Sequence, residues 1–380
     1  MRRILPSGYS RAVLIGKGSF GTVFRAREDE LGRWVALKEV PHGDTAAREE
    51  AQALAVAPLS CLPAVYGIES GRRSDWIAME YVHGVSIRDA IAQGLDPDEA
   101  ASLSVGTVRS LAVLHRSGRS HGDLKPENLI VEPDGRVRLV DLGMAAKTES
   151  VQGGTAGYLA PERGASGCDP RRADLWSLGV VVHEILVGVR PAAQEGANGW
   201  KRLRKEWGDW VPLVDLLLRE DASRRPPSAD AILSELPSVE ALPPAVLERI
   251  REQADRALAR RLVDEAAYRL RHDEPADALG YLQQALELDP DQSEAMAMLP
   301  LIKLDKKRQL RKRHLAMAVV AVFLAVACLV VFGPRRSRSE GATVKANSAE
   351  GARASERLRP DRGVRNEQSL PLREGTGSGR

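Results

Sequence analysis

Cysteine is nearly missing from these 380 residues. Cys61, Cys168 and Cys328 are too few for a disulfide framework and lack the paired spacing of a zinc site, which suits a reducing environment. An excess of either charge is missing too. The net charge of +3 is too small to argue for nucleic acid, and no nucleic-acid partner is expected. The opening residues Met1-Arg2-Arg3-Ile4-Leu5-Pro6-Ser7-Gly8 hold no apolar core long enough for a signal peptide. Long apolar runs are missing with one exception, Leu315 to Phe332. The length leaves room for one sizeable domain plus extras.

That exception is eighteen consecutive apolar side chains. At helical rise they span about 27 Å, enough for a thin bilayer core. A buried helix of a soluble protein would carry a polar stripe, and none interrupts this run. A transmembrane helix is therefore expected over 315–332. Beyond it, 333–380 is rich in Gly, Ser, Arg and Glu with almost no large apolar residues, and reads as a disordered tail.

What the chain does hold is a dense string of polar chemistry. Residues 121–128 read His-Gly-Asp-Leu-Lys-Pro-Glu-Asn, and eighteen positions past Asp123 comes Asp141 in Val140-Asp141-Leu142-Gly143. Phosphoryl transfer needs such groups together. A carboxylate accepts the proton of the attacking hydroxyl, a cation steadies the transferring group, and an amide with a second carboxylate holds Mg²⁺ on the nucleotide. The string resembles the catalytic loop of the protein kinases. The resemblance assigns Asp123 as base, Lys125 as the cation, and Asn128 and Asp141 as metal ligands, with ATP and Mg²⁺ as cofactors.

Upstream, Ile15-Gly16-Lys17-Gly18-Ser19-Phe20-Gly21-Thr22-Val23 fits G-x-G-x-x-G-x-V between apolar runs that read as a β-hairpin. Glycines let backbone approach phosphates with no Cβ in the way. Alone, the motif would equally suit a dinucleotide-binding fold or an ordinary turn. A dinucleotide fold wants a helix next, whereas Trp34 to Val40 is another strand-like run, similar to the kinase V-A-I-K strand. The resemblance implies that Gly16, Gly18, Gly21, Val23, Ala36 and Lys38 contact the nucleotide, with Lys38 on its α- and β-phosphates. A helix is expected over Thr45 to Val56, offering Glu49 and Glu50 as partners of Lys38. Similarity to bacterial kinases, where this glutamate precedes Ala-Gln, favours Glu50. Asp75 to Val82 resembles the strand entering the hinge between two lobes, with Met79 as gatekeeper and the Glu80 to Val82 backbone facing adenine. Apolar spacing predicts a helix over Leu103 to Leu114.

Downstream, Gly154 to Glu162 ends in Ala160-Pro161-Glu162, as a kinase activation segment does, and Arg225 is the expected partner of Glu162. Lys125 and Thr155 resemble serine/threonine rather than tyrosine kinases, so Ser and Thr hydroxyls of proteins are the implied substrates. Two departures stand out. Gly122 occupies the place of the arginine that reads an activation-loop phosphate, and Leu142 replaces phenylalanine. A pseudokinase or ATP-sensing scaffold is the alternative.

The implied fold is α+β: a two-lobed kinase over 9–238, with a small β-rich lobe and a larger helical one. A charged helical region follows over 243–305. Within it, Ala266, Ala278, Ala285 and Pro290 match the small residues and closing proline of one tetratricopeptide-like unit at about 259–292. A lone unit cannot bury its apolar face. It must dock on the kinase, pair with a second chain, flank degenerate units, or be an ordinary helical linker. Basic residues flank the apolar run on both sides, more heavily before it. ATP is cytosolic, so the expectation is a single-pass protein of the inner or plasma membrane, with 1–314 inside and 333–380 outside.

Overall fold

The computed structural model describes residues 5–18, 21–71, 73–142, 155–191 and 207–302, together with Met317 and Ala321. Apart from those last two, all fall in one compact unit, Met1–His314. The membrane-span reading of 315–332 and the tail reading of 333–380 lie outside the described residues, those two positions excepted. No helix among the described residues is long and apolar enough to cross a membrane.

Alternation builds the first lobe. Strands β1 (Tyr9–Gly18), β2 (Gly21–Glu28), β3 (Trp34–Pro41), β4 (Val65–Ser70) and β5 (Ser74–Glu80) form an antiparallel sheet in the order β1-β2-β3-β5-β4. Phe24, Ala26, Val35, Leu37, Trp76 and Ala78 bury one face together. On the other face Val40 and Ile77 receive Ala47 and Ala51 of helix α1 (Thr45–Val56), the range expected from sequence. Asp44 caps α1 by accepting from the Ala47 N–H at 3.0 Å, a contact worth about 1 kcal/mol.

The second lobe is helical around a large leucine-rich core. Helix α2 (Ile87–Gln93) is followed by α3 (Pro97–Arg116), whose Asp96 and Glu99 form a reciprocal capping box. The three-stranded sheet β6 (Val85–Ser86), β7 (Leu129–Val131) and β8 (Val137–Leu139) lies beside α3 and packs Leu129 and Leu139 onto it. Helix α4 (Pro170–Val187) is buried along most of its length and stops at Gly188, which takes the left-handed conformation at φ +79°. Helix α5 (Val211–Leu217) completes the core with Leu213 and Leu217.

The C-terminal region is a helical module, and its longest element starts earlier than the repeat spacing suggested. Helix α6 (Pro244–Arg271) runs for 28 residues and α7 (Pro275–Leu288) folds back on it, with a third helical segment at 293–302. Ala259, Ala266, Ala278 and Ala285 are fully buried between them, so small residues do permit close helix packing here. The apolar face is covered from two sides: Ala295 and Ile302 of the third segment and Val13 of β1 in the first lobe are buried in the same cluster.

Candidate active site

Strand register brings the first group together. Val23 pairs with Lys38 across β2–β3, and Ala36 pairs with Met79 across β3–β5. Cross-strand partners share a face, as do residues two apart, so these four line one surface. Gly21 closes the hairpin at φ +126°, where a Cβ would collide with the Glu39 carbonyl oxygen. The loop tip at 19–20 lies outside the described residues.

Below that surface is a cleft of about 510 Å³ whose wall includes Lys38, Glu50, Leu54, Met79, Asp141 and Leu142. Lys38 is 6% exposed, and its Nζ lies 2.9 Å from Asp141 Oδ1. The Asp141 carboxylate thus lies against the buried Lys38 ammonium. Between the two glutamates considered, Glu50 lines the cleft and Glu49 is exposed. Leu142 reaches toward Leu54 of α1, so an aliphatic side chain fills the phenylalanine's place against the core. In the hinge, the Glu80 N–H donates to the Ala64 carbonyl at 2.8 Å and its carboxylate pairs with Arg138 at 2.7 Å. Val82, two residues further along the hinge, is half-buried.

The 121–128 loop is held from beneath. The buried carboxylate of Asp174 on α4 accepts from the His121 N–H at 2.6 Å and the Gly122 N–H at 2.8 Å, and it meets His115 Nε2 at 3.1 Å. Gly122 sits at φ +81°, so the residue in the arginine's place also relieves a left-handed turn. His121 is wholly buried, and desolvation keeps its imidazole below its ordinary pKa despite the nearby carboxylates.

Asp123 points into a donor cluster. Lys125 Nζ donates to its Oδ2 at 2.7 Å, and the Thr155 N–H and hydroxyl approach Oδ1 at 3.0 and 3.2 Å. Burial pushes this carboxyl up, but Lys125 and Thr155 outweigh it and hold it below the ordinary aspartate range. The Asn128 amide nitrogen donates to the Asp123 carbonyl at 2.8 Å, which turns its side-chain oxygen into the acceptor end of the amide. That oxygen and the Asp141 carboxylate are hard donors of the kind Mg²⁺ takes, so the pair suits the metal. Further on, Arg225 grips Glu162 with two bonds of 2.6 and 2.8 Å while itself only 2% exposed.

Sequence reasoning missed Arg88. Its guanidinium joins Glu127 at 2.7 Å, Glu184 at 2.7 Å and the Tyr158 hydroxyl at 2.6 Å, tying the loop to α4 and to the segment after Thr155. Its partners lie 39, 96 and 70 positions away, and no local pattern signals such a hub. Arg25 was missed as well. It stacks 3.4 Å from the Trp34 ring centre and 5.3 Å from that of Tyr81, and burial lowers its pKa to about 10.

A sequence model of the protein kinase domain matches residues 9–236. The serine/threonine-protein kinase PknL of Mycobacterium tuberculosis is 34% identical over 210 residues, 51% of this chain and 53% of that protein. The serine/threonine-protein kinase pkn3 of Myxococcus xanthus is 29% identical over 272 residues, 61% of this chain and 50% of that protein. The chain thus spans about half the length of these curated relatives. Among solved structures, Rad53 in complex with AMP-PNP overlays with a TM-score of 0.48 at 24% identity, covering 60% of this chain and 64% of that one.

Proposed function

Because the chain belongs to the protein kinase domain family, we propose that it is a serine/threonine protein kinase of bacterial type, using ATP and Mg²⁺ and anchored by one membrane span. The observation that carries the reading is Lys125 Nζ, which lies 2.7 Å from both the Asp123 carboxylate and the Thr155 hydroxyl. A Ser or Thr hydroxyl presented there meets a base and a cation at once.

Each residue then has a task. Asp123, ionised, takes the proton as the hydroxyl oxygen bonds to the γ-phosphorus and the bond to the β–γ bridging oxygen breaks. Lys125 balances the charge gathering on the transferring group. Lys38 holds the α- and β-phosphates, a role for which it exchanges its contact with Asp141. Asn128 and Asp141 would hold Mg²⁺, which would supply positive charge to neutralise the phosphates. Gly16, Gly18, Gly21 and Val23 cover the phosphates from above. Ala36, Met79 and the Glu80–Val82 backbone enclose the base, and Glu50 supports the cleft wall behind Lys38.

Membrane anchoring rests on the eighteen apolar residues at 315–332 and on the basic residues before them, with the kinase lobes on the ATP side. Protease added outside intact cells should remove a tag at Arg380 and spare one at Met1; the opposite pattern overturns the orientation. For the activity, a chain ending at Arg313 should consume ATP and phosphorylate a generic protein substrate on Ser or Thr, read by mass spectrometry. Nucleotide binding without transfer would instead identify an ATP-sensing scaffold.

A further inference from the structure

Strand β1 is an edge strand, and its pairing with β2 slips twice, between Ser10 and Val13 and again between Leu14 and Gly16. Residues at such slips carry backbone groups that the ladder does not use. The helical module takes a carbonyl at each. The Tyr281 hydroxyl on α7 donates to the Ala12 carbonyl at 3.4 Å, and the Arg261 guanidinium on α6 donates to the Ile15 carbonyl, with that of Leu14 at 3.5 Å. Between the two, Val13 is 1% exposed in the cluster with Leu258, Leu262 and Tyr281. Ile15 immediately precedes Gly16, the first glycine of the phosphate-covering loop.

The same helix also grips the other lobe. Arg249 pairs with the buried Glu99 of α3, and Ile250 and Ala254 join the large core. Asp255 meets His83 at 3.0 Å, just past the hinge. From Arg249 to Arg261 is about 18 Å of helix. One rigid element therefore fixes the second lobe, the hinge and the root of the glycine loop relative to one another.

We propose that α6 is a positioning element for the nucleotide cleft, and that Arg261, acting through the Ile15 carbonyl, sets where the Gly16–Gly21 loop lies over ATP. The proposal rests on the kinase reading above. Arg261 touches neither nucleotide nor substrate, so it is a positioning residue. Glycine-rich backbone has many conformations to lose on binding, and a root held in advance reduces that loss. A guanidinium–carbonyl bond is charge-assisted and suits the task.

The test uses the full chain in detergent and the variants Arg261→Ala and Arg261→Lys, with KM for ATP, kcat, thermal midpoint and amide exchange over 13–17 as readouts. Arg261→Ala should raise KM for ATP about ten-fold, the worth of one charge-assisted hydrogen bond. It should leave kcat within about two-fold, speed exchange at the root of the loop, and be partly rescued by Arg261→Lys, which keeps a donor. Unchanged KM beside an active wild type overturns the proposal alone. So does an equal fall in kcat and thermal midpoint with no change in KM, which marks a purely structural role. A wild-type chain that binds no ATP overturns the kinase reading, and the proposal with it.

Discussion

The two walls of the cleft are held in opposite ways. The lower wall, residues 121–128, rests on one buried carboxylate, Asp174, and its working groups contact each other across two to five positions of chain. The upper wall, β1 and the loop it carries, is held by Arg261 and Tyr281, more than 240 positions away. The contrast separates two kinds of site information. Chemistry that is assembled locally survives excision of the domain and shows up as a motif. Geometry imposed from a distance does neither.

The lower wall breaks hardest. Asp123→Asn keeps nearly the same shape, so fold and ATP binding should persist while the phosphorylation rate falls by about 10²–10⁴ through loss of the base. Lys38→Ala and Asp141→Ala should also abolish useful turnover, and near-normal rates in all three would refute the kinase reading. Asp174→Ala strands two buried N–H donors and should lower unfolding free energy by about 3 kcal/mol, visible as a lower urea midpoint. Thr155→Ala removes a donor to Asp123 and a contact of Lys125, so turnover should fall about ten-fold with ATP affinity retained. If affinity falls with it, Thr155 serves both walls and the contrast weakens.

Proton titration sharpens the same wall more gently. The Asp123 carboxyl is held below the ordinary aspartate range because Lys125 and Thr155 outweigh its burial. A depressed carboxylate stays ionised across neutral and mildly acidic pH, and base catalysis is lost only as pH falls through that lowered value. Lys125→Met removes the counter-charge and leaves the burial. The acid limb of its residual kcat/KM should therefore move to higher pH, and an unmoved limb would mean that another group sets it. The smallest effect is expected at Thr148 and Ser150, which lie outside the described residues. With Gly122 in the arginine's place, alanine at both should leave activity within a few-fold of wild type. A large loss would reveal another cation reading a phosphate there.

Much of this site was legible because kinase chemistry compresses into short strings. Resemblance to the kinase motifs placed Lys38, Asp123, Asn128 and Asp141 in one site, and the structure brings Lys38 to Asp141 and Asn128 to Asp123. The strand-like run at Trp34 to Val40 and the helix-prone stretch at Thr45 to Val56 likewise became β3 and α1, with Ala47 and Ala51 of α1 buried one turn apart. The partner of Lys38 was less legible, since two adjacent glutamates share one helix and only packing separates them. Arg88 and Arg138 were invisible: each gathers partners from several elements, and nothing in the local sequence of a surface-like arginine announces that its surroundings are carboxylates. The docking of α6 was half legible. An unsatisfied apolar face required a cover, but the slips in β1 that receive it appear only once the strands are paired.

The edge position of β1 has one more consequence. An uncovered edge strand is a template onto which another chain's strand can add, and proteins shield such edges to stay unassociated. Here the shield is α6 and α7, outside the span that the family's sequence model covers. Cutting the chain at about residue 240 would strip it off, uncover Val13 beside a row of free carbonyls, and leave a fragment expected to stick to itself. Self-association of such a fragment would report the cut rather than the habit of the intact protein.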